Sequence, residues 1–141
     1  MSVLAFSALQ QKVVDLIAAN SYFTGETVTL HQGRSLSEVE EALRDAGQTT
    51  VVYPVQAAGG TKSGLGAAIM SATIDVLFAF NPEKGTLNIY LMVTNGIGAV
   101  LDYFNPNTPN DRFEVEDLTI AEADDGVWGY LVTFRKTVQF T

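Results

Sequence analysis

The sequence contains no cysteine, a single histidine and only eight lysine and arginine residues among its 141. Without cysteine there is no disulfide framework and no thiolate-held metal. With one imidazole, His31, no site of two histidines forms within a chain. No Gly-x-Ser-x-Gly elbow accompanies it, and His31 sits in a polar, glycine-bounded arm, so it reads as a surface residue and not as the base of a Ser-His-Asp triad. The eight basic residues face sixteen acidic ones, for a net charge of -8. Proteins that grip nucleic acid or anionic lipid show the opposite balance.

Long apolar runs are missing too. The longest uncharged stretch, Gly85 to Leu101, carries Asn88, Thr94, Asn95 and three glycines, where a membrane helix wants about twenty apolar residues. The opening MSVLAFSALQQKVVDLIAAN has no basic n-region, and Gln10, Gln11, Lys12 and Asp15 interrupt its apolar character. An amphipathic helix is expected there, not a secretory leader.

What remains is a chain with 47% hydrophobic and 17% charged residues, too apolar for disorder. A domain of this length buries about 68% of its unfolded surface, so residues 1–141 are expected to form one domain.

Val3, Phe6, Leu9, Val13, Leu16 and Ile17 recur at helical spacing and predict a helix over residues 3–19, with Gln10, Gln11 and Asp15 on its polar face and Asn20 as C-cap. Val28 and Leu30 alternate with threonines in a short extended arm. Ser35 and Glu38 at capping-box spacing, the Leu36, Val39, Leu43 stripe and Gly47 predict a second helix over 36–46.

From Thr49 the period becomes two. TTVVYPVQA reads as a strand in which Pro54 demands an edge or a bulge, and AAGGTKSGLGAA reads as a loop. Met70, Ala72, Ile74, Val76, Phe78 and Phe80 then line one face of a long strand ended by Asn81-Pro82. Residues 86–104 fit a helical stripe of Leu87, Tyr90, Leu91, Thr94, Ile97, Leu101 and Phe104, at roughly 1 kcal/mol for each internal glycine. The competing hairpin, with LNIYLMV as a strand and Asn95-Gly96 as its turn, is the weaker reading. In RFEVEDLTIAEA the apolar parity switches from Phe113 and Val115 to Leu118 and Ile120, which predicts a bulge near Asp117. Trp128, Tyr130, Val132, Phe134, Val138 and Phe140 define a last long strand, broken on that face by Lys136 alone.

Strands in sequential pairs imply an α+β fold: a mostly antiparallel sheet of about four strands with helices packed on one face.

Chemistry is hard to find. GGTKSGLG fails as a phosphate loop, because Thr61 stands where glycine must precede Lys62, Gln56 stands where the first glycine belongs, and a strand follows instead of a helix. Gly59, Gly60, Thr61, Lys62, Ser63 and Gly64 are instead a candidate contact loop for a partner. Glu122-Ala-Asp-Asp-Gly126 does not supply a calcium loop, and no carboxylate pair stands out as a glycosidase site. No catalytic residue, cofactor or metal is expected. Seven of the sixteen acids fall between Asp111 and Asp125, with only Arg112 among them. A solvated strand and hairpin tip is the ordinary account of such a row. The alternative is a surface kept negative so that an anionic polymer slides past it, formed by Glu114, Glu116, Asp117, Glu122, Asp124 and Asp125.

In this order of elements the chain resembles the tail-terminator (tail-completion, head-to-tail joining) proteins of long-tailed bacteriophages. The N-terminal amphipathic helix, the central strand ending in Asn-Pro within MSATIDVLFAFNPE, and the long aromatic strand VWGYLVTFRKTVQF carry the likeness, which spans the whole chain. The resemblance implies a homohexameric ring that ends tail-tube polymerisation and joins tube to head connector, with the long edge of the last strand as the expected place for a neighbouring subunit to pair. Its partners are then itself, the tail tube protein and a head-tail connector or adaptor, with DNA only as passing cargo and no membrane. Its place is the virion tail or neck, after assembly in the host cytoplasm. A chain of this length has a radius of gyration of about 14 Å, and six such spheres leave a hole about one subunit wide, enough for a duplex. Another neck or baseplate adaptor ring, or a small-ligand binding or enzyme domain, are the competing expectations.

Overall fold

The computed structural model describes residues 6–23, 28–30, 48–62, 68–81, 88–101, 113–122 and 128–140. The elements are α1 (Phe6–Ala19), a 3-10 turn (Ser21–Phe23), β1 (Val28–Leu30), β2 (Gln48–Val52), β3 (Gln56–Lys62), β4 (Ala68–Phe80), α2 (Ile89–Leu101), β5 (Glu114–Glu122) and β6 (Trp128–Phe140). The second helix expected over 36–46 lies outside the described residues, as does His31.

The sheet runs β1-β2-β4-β6-β5, and β3 also pairs with β4. All pairings are antiparallel except β1 with β2. β2 occupies the Val76–Phe80 end of β4 and β3 the Ala68–Thr73 end, so the two lie end to end at one lateral position. The break between them, Tyr53 to Val55, contains Pro54, whose missing N–H cannot serve a ladder. Four lateral positions therefore make the antiparallel sheet, as the sequence predicts for an α+β fold.

Strand parity sorts the two faces. Ala72, Ile74, Val76 and Phe78 of β4 and Val132 and Phe134 of β6 point toward α1 and α2 and are buried. Leu9, Val13 and Ile17 of α1, with Ile89, Met92, Val93 and Val100 of α2, complete that core. On the second face, Val51, Leu77 and Ala79 form a smaller buried cluster with Tyr53, Ala121 and Leu131 against it. The bulge predicted near Asp117 is present, between Val115 and Asp117.

Four expectations need correction. Gln10 is buried, because it sits one turn before Val13 and Val14 and its Nε2 donates to the Val52 carbonyl at 3.2 Å. Residues 89–101 are a helix, but its buried stripe is Ile89, Met92, Val93, Gly96 and Val100; of the predicted stripe, Tyr90, Leu91 and Thr94 are exposed, while Ile97 and Leu101 pack against the core half-buried. That helix has no charged residue, and its contacts with the sheet choose the face. Gly59 to Lys62 belong to a strand and not a loop, since β4 offers an antiparallel partner and the two glycines fall in a register shift between Ala58 and Thr61. Finally, β6 is interior, flanked by β4 and β5, so its edge is not free for a neighbour.

Candidate functional site

β5 closes one side of the sheet, and among the described residues nothing pairs with its outer edge. Every side chain from Glu114 to Ile120 is exposed. Three carboxylates, Glu114, Glu116 and Asp117, stand within four positions. Glu114 lies opposite Arg135 of β6 and accepts a hydrogen bond from its guanidinium at 2.9 Å. That bond, then the charge of Glu114, raises Arg135 above its ordinary value, with a smaller contribution from Glu116. The Asp117 carboxylate accepts from the Leu118 amide at 2.9 Å. Glu122 ends the strand, while Asp124 and Asp125 lie outside the described residues. Of the predicted acidic surface, the structure gathers Glu114, Glu116 and Asp117 on one exposed strand. Lys62 stands on β3, at the opposite side of the sheet, with Gly59, Gly60 and Thr61, and Ser63 and Gly64 lie outside the described residues.

The other parity of β5 is apolar and uncovered. Leu118 is 47% exposed and Ile120 60%. Both point to the helix side, where period-two sequence reasoning expects core, but α2 does not reach over them. Beside them Tyr90 (62% exposed) stacks edge-on against Trp128 and leans on Tyr130, at centroid distances of 6.3 and 6.2 Å. Partial desolvation first, and then the Tyr90 phenol, raise the Tyr130 hydroxyl. Tyr90, Leu91, Leu118, Ile120, Trp128 and Tyr130 therefore make one apolar flank along α2 and β5. Apolar, aromatic surface of this kind marks protein contact more often than small-molecule chemistry.

A shallow cavity of about 310 Å³ opens on the second face, lined by Tyr53, Asp75, Leu77, Ala121 and Leu131. Asp75 is held from both sides: Thr133, directly opposite on β6, donates its hydroxyl at 2.6 Å, and the amide of Tyr53, just past the end of β2, donates to the Asp75 carbonyl at 2.9 Å. Burial, then the Asp75 charge, raise the Tyr53 phenol above its ordinary value. Sequence reasoning missed this trio. The available signal was the polar parity of Ser71, Thr73 and Asp75 in β4, next to a proline-broken neighbour. Lys136 is also buried, at 3% exposure, with its Nζ 5.3 Å from the centre of the Phe113 ring. Its chain packs in the core while its charge meets the ring face.

Among the described residues, no three of His, Cys, Asp and Glu gather to hold a metal ion. No described helix is long and apolar enough to cross a membrane. No family model and no curated protein matches the chain. A crystal structure from Akkermansia muciniphila is similar at 11% sequence identity and a TM-score of 0.36, over 97% of this chain and 79% of that one. A likeness at that level carries no argument about function.

Proposed function

We propose that this chain is a structural protein of a long-tailed phage virion, whose copies form a ring, of six on the resemblance above. The ring caps the tail tube, ends its polymerisation and joins it to the head connector, leaving a channel for DNA. Its role is mechanical and not catalytic. The observation that carries this reading is β5: an exposed edge strand with the carboxylates Glu114, Glu116 and Asp117, of which Glu114 pairs with Arg135. A lumen that must pass a duplex without holding it wants this charge, because each fixed cation would recruit phosphate with release of counterions. The segments that carry the resemblance, α1, β4 and β6, are also the frame on which β5 is mounted.

The direct test adds the purified protein to polymerising tail tube protein and images the product. Growth that stops, with ring density at one tube end, supports the reading. Tubes that lengthen unchanged, beside a protein that stays monomeric, overturn it.

The cavity at Asp75 favours a second reading, a small-ligand binding domain. There Asp75 and the Tyr53 phenol supply the polar contacts, and Leu77, Ala121 and Leu131 the apolar walls. A monomer whose melting temperature rises with a small cationic or hydroxylated compound, and whose D75N variant loses that rise, selects this reading over the ring.

A further inference from the structure

Among the described residues, both layers end unpartnered on the same side. In the sheet, β5 has β6 on one side and no described strand on the other. In the helix layer, α1 lies against β1 and β2, α2 lies against β4, β5 and β6, and the two helices touch each other. On α2, Tyr90, which meets Trp128 and Tyr130 of β6, and its neighbour Leu91 are more than half exposed.

The opposite side of the sheet has a complementary outline. β1 covers β2 but not β3, so beside β3 there is a step one strand wide, unfilled by any described strand. Strand directions fit as well. β3 is antiparallel to β4, β4 to β6 and β6 to β5, so β3 runs antiparallel to β5. Copies repeated side by side in one orientation therefore bring β5 of one against β3 of the next in antiparallel sense, and their lengths, nine and seven residues, are close. The same repeat carries the next copy's α1 to the open flank of α2.

Charge selects this arrangement over a symmetric one. Two β5 strands paired antiparallel about a two-fold would bring the acids of one, Glu114, Glu116, Asp117 and Glu122, among the acids of the other, and like charges opposed across a strand pair are destabilising. β3, Gln56–Lys62, has no acidic residue and ends on Lys62. The bulge at Val115 and Asp117 blunts one end of β5 against indiscriminate pairing, while the register from Asp117 to Glu122 is regular.

We infer that β5 of one copy pairs head to tail with β3 of a second copy of this chain, continuing the sheet across the junction, with Tyr90, Leu91, Leu118 and Ile120 buried under the neighbour's α1. Such a heterologous contact closes into a ring when its rotation divides the circle and otherwise runs on as a filament. The inference names the self-contact of the proposed ring and rests on that reading only for closure.

The chain has no native thiol, so engineered cysteines report cleanly. T119C lies on β5 opposite Leu131, and A58C on β3 opposite Ser71, both at second-face positions. Each variant alone, their equal mixture and the double variant are treated with a short bis-maleimide over a concentration series. The expected result is a cross-linked pair in the mixture and not in either variant alone, with a ladder of covalent oligomers from the double variant. Adding I120K to the double variant should weaken the ladder roughly tenfold, as loss of a buried apolar anchor does. Cross-linking of T119C with itself, or no cross-link from variants that remain folded by circular dichroism, overturns the contact. A ladder that runs on without limit, or that stops in a protein without effect on tube growth, keeps the contact and removes the tail-terminator reading.

Discussion

Gly96 of α2 lies directly on the ring of Phe78 in β4: a Cβ added at Gly96 would overlap the Phe78 Cζ and Cε1 atoms. Both residues are buried, so the ring has no room to retreat. This contact sets how close α2 comes to the sheet. Gly98, two residues on, has nothing within 4 Å of an added Cβ. The two glycines therefore respond oppositely to alanine. G98A gains helix propensity and should stabilise by up to about 1 kcal/mol. G96A makes the same gain but must displace an aromatic ring in a packed core, at a cost of about 1–3 kcal/mol, and should be net destabilising. Urea midpoints of the two variants check this, and a stabilised G96A would mean that α2 rides further from β4.

Gly129 presents a harder constraint, since its neighbours are backbone. A Cβ there would run into the Phe78 carbonyl and come within 2.8 Å of the Ala79 Cα, where β4 and β6 pair as Ala79 opposite Gly129. Side chains rotate away, but two strands held by their ladder do not. G129A should cost about 3 kcal/mol or more, read as loss of soluble folded protein or a large fall in melting temperature.

How much of this was legible depends on what each pattern encodes. The helix-facing side of β4 and the bulge in β5 follow from parity, because residues two apart share a face and a switch of phase has to be absorbed somewhere. The helix over 89–101 was legible and its orientation was not. Apolar residues surround it, and the deciding feature, a glycine seated on Phe78, is tertiary. Residue type points Gln10 outward, although its position one turn before Val13 puts its amide within reach of the Val52 carbonyl. β3 was hidden by its composition, since Ala-Ala-Gly-Gly-Thr-Lys is turn chemistry until an antiparallel partner is present. For the candidate site, the acids of β5 were legible as a cluster. The exposure of Leu118 and Ile120 was not, because parity names the face a residue points to and not whether a helix covers it.

Asn88 anchors the start of α2 and should behave as an N-cap. Its Oδ1 accepts from the amides of Tyr90 at 2.9 Å and Leu91 at 3.3 Å, and its carbonyl takes the Met92 amide at 2.9 Å. The Tyr22 hydroxyl donates to that same carbonyl at 3.1 Å, tying the cap to the turn after α1. N88A removes the amide acceptor only and should cost about 1 kcal/mol. N88D keeps an acceptor and adds negative charge at a helix N-terminus, so it should match or slightly exceed the parent. Chemical denaturation of the three proteins in parallel distinguishes them.

The Tyr53 phenol is raised by burial and by Asp75, and the sign fixes the window. An unfolded tyrosine titrates near 10, so above that pH the unfolded chain loses its proton before the folded one does. The folded state then binds more protons, and stability falls as pH rises. The contribution is complete below about pH 10 and disappears as pH climbs through the raised folded value. Y53F removes it. Wild-type protein should thus lose more stability than Y53F across that alkaline range, and D75N should bring the Tyr53 midpoint down in a tyrosinate absorbance titration. Equal alkaline losses in wild type and Y53F would refute the assignment.

Glu114 and Glu116 test the channel without testing the fold. Glu114 is two-thirds exposed and its partner Arg135 nearly half exposed, so the ion pair is a surface contact of small worth. The double variant E114K/E116K should keep its circular dichroism spectrum and melt within about 3 °C of the parent. Its effect should appear on DNA. If these side chains line a lumen, the reversal turns a repelling wall into one that recruits phosphate, and particles assembled with the variant should release DNA more slowly, with the delay shrinking as salt is raised. Particles that assemble normally and release DNA at the parental rate would place β5 away from the channel. The acidity of this strand would then be a solubility feature of an exposed edge.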